Sequence, residues 1–113
     1  MSSEITFDDF MKVDLRVGRV VRVEDFPKAR RPAFKLWIDF GPELGEKKTS
    51  AQITDHYDKA SLLGRQVVAV VNFPPKQVAD FMSEVLVLGA IQADHSVVLL
   101  HPDQEVPEGL RIA

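Results

Sequence analysis

The chain has 113 residues, 45% of them apolar and 27% charged, which is the balance of a protein that folds around one modest core. We therefore expect one domain over residues 1–113, with no room for a separate catalytic domain. The absence of cysteine excludes disulfides, thiolate zinc sites and cysteine nucleophiles, and it fits a reducing cytoplasm. The longest apolar run, residues 67–71, is too short to span a bilayer, so we expect no membrane insertion.

Charge is distributed unevenly along the chain, although its net value is only −3. Residues 16–35 carry seven basic side chains against two acidic ones, which gives a local charge of +5. Residues 78–113 carry six acids and one arginine. A protein charged in this way can present a basic face to phosphate groups despite an acidic isoelectric point.

The first predicted element is a short amphipathic helix. Thr6 is a suitable N-cap, and Phe7, Phe10 and Met11 follow at the spacing of one helical face. Such a short helix is marginal alone, so its aromatic face must pack against the domain or a second copy of the chain. A second copy related by a twofold axis would bury this face, and these three apolar residues would then lie at the dimer interface.

Two alternating strands follow the helix. Residues 15–23 alternate apolar and basic side chains, with Gly18 as a candidate bulge. A proline-bounded loop leads into residues 34–40, whose alternation turns Trp37 away from the core. The sequence leaves open whether Trp37 is exposed to solvent or covered by a partner subunit.

The rest of the chain predicts more strands and one helix. A turn at 41–45 precedes a strand at 48–53, a helix at about 55–63 that stops at Gly64, and a buried strand at 67–71. Further strands are expected at 82–91, 96–100 and 110–112. This order predicts an all-β fold, a five-stranded Greek-key OB-fold barrel with a short N-terminal helix and a helix between strands 3 and 4.

We find no sequence motif for catalysis. The three histidines, His56, His95 and His101, lack the spacing of metal ligands. The glycines at 41–45 do not have the spacing of a phosphate-binding loop, and no serine stands in a nucleophile elbow. The sequence therefore predicts a protein that is not an enzyme and has no cofactor or metal.

Two motifs resemble a known family. Asn-Phe-Pro-Pro-Lys at 72–76 and Met-Ser-Glu-Val-Leu-Val-Leu at 82–88 resemble the signature of the tRNA-binding domain of methionyl-tRNA synthetases and bacterial phenylalanyl-tRNA synthetase β subunits. Together with residues 10–18, 32–41 and 50–54, they are similar to the free-standing CsaA family over nearly the whole chain. The resemblance implies a dimeric OB-fold barrel that binds tRNA, and for CsaA a proposed chaperone role in protein export.

The resemblance also implies which residues contact RNA. Its RNA-contacting loop falls on Asn72, Lys76, Met82, Ser83 and Glu84, and the basic side of the groove would draw on Lys28, Arg30 and Arg31. Glu84 fits such a site if its carboxylate accepts hydrogen bonds from exposed base edges. The alternative is that Ser83 and Glu84 only cap a turn, and that the two arginines are a solvated loop.

A second function stays open at this stage. An export-related chaperone would bind unfolded or precursor polypeptides in an apolar groove at the dimer interface. The apolar residues available for such a groove are Phe7, Phe34, Trp37, Phe81 and Leu110. Phe73, Phe81 and Met82 could instead offer stacking surface to RNA bases.

Overall fold

A computed structural model describes residues 3–113 of the protein. These residues contain three short helices, α1 (Phe7–Met11), α2 (Gly41–Leu44) and α3 (Lys59–Leu62). The strands are β1 (Leu15–Asp25), β2 (Phe34–Asp39), β3 (Glu46–Ala51), β4 (Gln66–Val70), β5 (Lys76–Val78), β6 (Phe81–Ser83), β7 (Leu86–Val87), β8 (Gly89–Ile91), β9 (Val97–Leu99) and β10 (Arg111–Ile112).

The main sheet is antiparallel and nearly closes into a barrel. Its strands lie in the order β3-β2-β1-β4-β7, and β10 pairs with the start of β1. The gap between β3 and β7 is bridged by the Glu84 N–H, which donates to the Lys48 carbonyl at 2.8 Å, and by the Thr49 hydroxyl, which donates to the Val85 carbonyl at 2.6 Å. The predicted OB-type barrel, with α3 between β3 and β4, is confirmed.

The barrel interior is filled by the side chains that face inward from each alternating strand. Leu36, Ile38 and Val67 are fully buried there. Gly18 pairs with Val67 of β4, and a Cβ at this position would lie 2.5 Å from the Ile38 Cγ2 atom. The bulge predicted at Gly18 is therefore wrong: the register shift lies between Val20 and Arg22, and Gly18 serves close packing.

Several predicted boundaries need correction. The helix expected at 55–63 covers only Lys59–Leu62, because Asp58 caps it by accepting a hydrogen bond from the Ser61 N–H at 2.8 Å. The strand expected at 82–91 is divided into β6, β7 and β8, since residues 84 and 85 turn to bond with β3. The turn expected at 41–45 contains the single-turn helix α2.

Helix α1 packs on the outer face of the barrel. Thr6 and Asp9 form the predicted N-terminal cap through reciprocal hydrogen bonds of 3.1 Å. Phe10 is partly buried and packs against the outward side chains of β1 and β4, among them Leu15 and Val70. Phe7, one turn earlier, is 71% exposed. The outer apolar face is thus only partly covered by the helix.

Candidate nucleic-acid interface

An open groove of about 1320 Å³ runs along one side of the barrel. One wall is the loop between β1 and β2, and the other is the β5–β6 hairpin with the segment that precedes it. The floor is formed by the end of β3 and by residues 83–85, which hydrogen-bond to β3. The groove is lined by Ala29, Arg30, Arg31, Ala33, Thr49, Ser50, Ala51, Gln52, Ile53, Phe73, Pro74, Lys76, Gln77, Val78, Ala79, Ser83, Glu84, Val85, Leu86, Val87 and Val97.

The structure brings most of the predicted site residues into this groove. Of the eight residues predicted to contact RNA, five line it: Arg30, Arg31, Lys76, Ser83 and Glu84. Lys28, Asn72 and Met82 do not line it. Residues 30 and 76 are more than 40 positions apart in sequence, so only the fold places their charges on one groove.

Two of the groove residues bond to the edge of β3. The Ser83 hydroxyl accepts a hydrogen bond from the Ser50 N–H at 3.0 Å and lies 2.9 Å from the Ser50 hydroxyl. The Glu84 Oε1 atom accepts from the Lys48 N–H at 3.0 Å. Within residues 3–113, the Oε2 atom of Glu84 takes no hydrogen bond. These side chains therefore fix the floor of the groove and leave one carboxylate oxygen for a ligand.

Asn72 connects the groove segment to the N-terminal helix. Its side-chain carbonyl accepts from the Asp14 N–H at 3.0 Å, and its amide donates to the Lys12 carbonyl at 2.7 Å. The oxygen and the nitrogen of the Asn72 side-chain amide are thus both hydrogen-bonded inside the protein, at the start of the segment that carries Phe73 and Lys76. The arrangement makes Asn72 a positioning residue for that segment.

The hairpin is held to the sheet by an aromatic cluster that sequence reasoning missed. Phe81 is buried, with its ring centroid 5.6 Å from that of Phe26 and 5.8 Å from that of Trp37. Trp37 is therefore half-buried under the chain's own hairpin. Because Phe34 and Phe81 are buried, the prediction that they line an open apolar groove is wrong.

Cations lie over these aromatic rings on the outer face of β1, β2 and β3. The ammonium groups of Lys35 and Lys48 are each 5.1 Å from the Phe81 centroid, and the Arg22 guanidinium is 4.4 Å from Trp37. The sequence signal for this cluster was the alternation that turns Lys35 and Trp37 outward on β2, but it did not show what covers them.

The basic N-terminal third is less available than its sequence indicates, because several of its charges are paired. Arg16 bonds Asp14 at 2.6 Å and Arg19 bonds Glu108 at 2.8 Å, while Arg22 pairs with Glu24. The hydrogen bond from the Arg19 guanidinium lowers the pKa of the Glu108 carboxyl. In the described part of the chain, the groove residues Arg30, Arg31 and Lys76 form no ion pair.

Two further searches concern the described residues only. Among residues 3–113, no group of three or more acidic or histidine side chains is placed to hold a metal ion. Over the same range, none of the helices combines the length and the apolar character that crossing a membrane requires.

Comparisons with known proteins agree on one family. Residues 15–111 match the family described as "Putative tRNA binding domain". The chaperone CsaA of Bacillus anthracis str. Ames is 54% identical, with a TM-score of 0.93 over 98% of this chain and 100% of that one. The CsaA chaperone protein of Picrophilus torridus is 55% identical, with a TM-score of 0.91 over 97% of this chain and 100% of that one.

A longer relative contains the same domain. The methionine–tRNA ligase of Thermococcus onnurineus is 39% identical over 108 residues, which are 96% of this chain but only 14% of the ligase. The alignment therefore covers a small part of that enzyme. On these matches, the chain belongs to the tRNA-binding domain family and to its CsaA-like members.

Proposed function

We propose that the protein is a single OB-fold domain over residues 1–113 that binds tRNA in the groove, as a homodimer and without catalysis. The observation that carries the proposal is the set of three groove cations, Arg30, Arg31 and Lys76, which have no ion-pair partner among residues 3–113 and lie beside the exposed ring of Phe73. Membership of the tRNA-binding family supports the same ligand. A tRNA-binding role would place the protein in the cytoplasm.

The chemistry of the groove suits an RNA segment with unpaired bases. Arginine and lysine side chains neutralise phosphates, and each contact releases counterions. Phe73 is 53% exposed and can stack on a base, whereas A-form duplex hides its bases from a side chain. Glu84 can accept a hydrogen bond from a base amino group through its second carboxylate oxygen, and Ser83 can act beside it.

The three predicted residues outside the groove keep smaller roles in this proposal. Met82 is 41% exposed and lies opposite Gln77 in the hairpin, where it would contact RNA that extends past the groove. Asn72 would act by positioning Phe73 and Lys76. Lys28 would contact phosphate at the end of the groove.

A second copy of the chain is the proposed cover of the outer apolar face. Phe7 is 71% exposed, Leu86 50% and Leu100 46%, and all belong to segments that border the cluster of Leu15 and Val70. Exposed apolar surface of this kind marks an interface, and a twofold axis lets one patch cover its own copy. We place Phe7, Phe10 and Met11 at that dimer interface.

Binding of bulk tRNA, measured by fluorescence anisotropy across a salt series, tests the proposal. The double variant Arg30→Glu, Arg31→Glu is expected to lose most of its low-salt affinity. Its matched control is Lys12→Glu, Lys59→Glu, which makes the same charge change at side chains that are 79% and 52% exposed and do not line the groove. Wild-type protein without low-salt binding, or equal losses in both variants, would overturn the proposal.

One observation keeps a chaperone as the second candidate function. The groove is also lined by apolar side chains that are at least partly exposed, Phe73, Pro74 and Val78, which could contact an unfolded or precursor polypeptide. Apolar contacts tolerate salt, so this candidate predicts peptide binding that survives high salt and the arginine reversals. Protection of an unfolding client against aggregation, measured by light scattering with the same variants, separates it from tRNA binding.

A further inference from the structure

An acidic side chain stands at the tip of the groove's hairpin wall. The β5–β6 hairpin turns through Ala79 and Asp80, and Ala79 has a φ of 52°. The Gln77 side-chain amide donates to the Ala79 carbonyl at 3.0 Å. The turn is therefore fixed by a local hydrogen bond in a conformation that non-glycine residues seldom adopt, and it holds Asp80 in place.

Asp80 bridges to the opposite wall. Its Oδ2 atom lies 2.9 Å from the Lys28 ammonium, in the loop between β1 and β2. The hydrogen bond from Lys28 and, to a lesser extent, its charge lower the pKa of the Asp80 carboxyl, and the charge of Lys35 lowers it further. The Asp80 carboxylate thus pairs with the Lys28 cation at the end of the wall that carries Arg30 and Arg31.

A carboxylate and a phosphodiester offer the same kind of anionic oxygen to an ammonium group. We propose that Asp80 is a built-in competitor of RNA phosphate for Lys28, and so limits the affinity of the groove for RNA. This inference rests on the proposed function. Lys28 is 71% exposed and Asp80 52%, so RNA can displace the carboxylate without unfolding the hairpin.

The size of the effect follows from the exposure of the pair. An exposed ion pair shifts an equilibrium only modestly, so Asp80→Asn is expected to raise tRNA affinity by about two- to fivefold at low salt. The gain should fade as salt rises, because screening weakens the contact between Lys28 and phosphate. Asparagine is compatible with a turn, so the hairpin should persist.

The experiment compares Asp80→Asn with Asp103→Asn in tRNA anisotropy titrations. Asp103 is exposed, does not line the groove and, within residues 3–113, forms no ion pair, so its variant makes the same charge change elsewhere. A second pair of proteins, Lys28→Ala and Lys28→Ala with Asp80→Asn, tests whether the gain requires Lys28. Thermal unfolding of each variant checks that the hairpin change leaves the fold intact.

The expected result is a gain for Asp80→Asn that is absent from Asp103→Asn and disappears in the Lys28→Ala background. If Asp80→Asn and Asp103→Asn bind tRNA with equal affinity while the wild-type protein binds normally, the competitor role of Asp80 is overturned and the proposed function is not. A gain that persists without Lys28 would also overturn the competitor role. Absence of any wild-type binding at low salt would instead overturn the proposed function itself.

Discussion

Phe81 is the residue on which one wall of the groove depends. It is 7% exposed and packs edge-on against Phe26 and Trp37, while the rest of its hairpin forms a separate two-stranded sheet. Truncation by Phe81→Ala removes both aromatic contacts. We expect the hairpin to detach from β2 and β3, with loss of the wall that carries Lys76.

The expected destabilisation can be bounded. Phenylalanine-to-alanine changes in a well-packed core cost about 3–5 kcal/mol, and each aromatic pair contributes about 0.5–1.5 kcal/mol. Because the hairpin can open without the barrel, the loss in global stability is limited by the free energy of that local opening. We therefore expect about 2 kcal/mol for Phe81→Ala, against about 3–5 kcal/mol for Leu62→Ala in the fully buried barrel core.

Urea unfolding gives the two global free energies, and amide hydrogen exchange reports on the hairpin itself. The β5–β6 amides should lose their protection against exchange in Phe81→Ala. In Leu62→Ala, their protection should fall only as far as global stability falls. Affinity for tRNA should drop more in the first variant than in the second. Retained hairpin protection in Phe81→Ala, or a global loss as large as that of Leu62→Ala, would refute the reasoning.

Three further predictions concern packing, pH and assembly. Gly18→Ala should cost about 1–3 kcal/mol and lower the urea midpoint, because its new methyl group would lie 2.5 Å from the Ile38 side chain. The Glu108 pKa is lowered by Arg19, so its contribution to stability is present above the ordinary value of 4.5 and is lost as pH falls through the lowered value. Glu108→Gln should therefore flatten the acid side of a plot of urea midpoint against pH. Phe7→Ser should shift sedimentation from dimer to monomer while the monomer stays folded, since this side chain is 71% exposed within one chain.

The parts of the fold that sequence predicted well are those that local patterns determine. The alternation of residues 34–40 follows from one face of β2 being buried and the other not. The unbroken run at 67–71 follows from burial on both faces, since Val67 lies in the barrel core and Val68 under helix α1. The Thr6 cap depends only on a neighbour three residues away.

The candidate site was harder to predict because it is built from long-range contacts. Glu84 bonds Lys48, 36 positions away, and Asn72 bonds residues 58 and 60 positions away. No local pattern indicates that Phe81 will cover Trp37. The helix expected at 55–63 failed for a different, local reason, because the cap at Asp58 and a turn over 54–56 shortened it.

The sequence and the structure predict different salt dependences for RNA binding. Counting the seven basic residues of the N-terminal third gives a slope of log affinity against log salt of about −5 to −6. In the described part of the chain, the structure pairs Arg16 and Arg19 with carboxylates and leaves the three groove cations without an ion pair. These three contacts, with Lys28 as a fourth once RNA displaces Asp80, predict a slope of only about −2 to −4 per site. A measured slope near the larger value would mean that RNA displaces the internal ion pairs, because paired side chains can contact phosphate only after leaving their carboxylates.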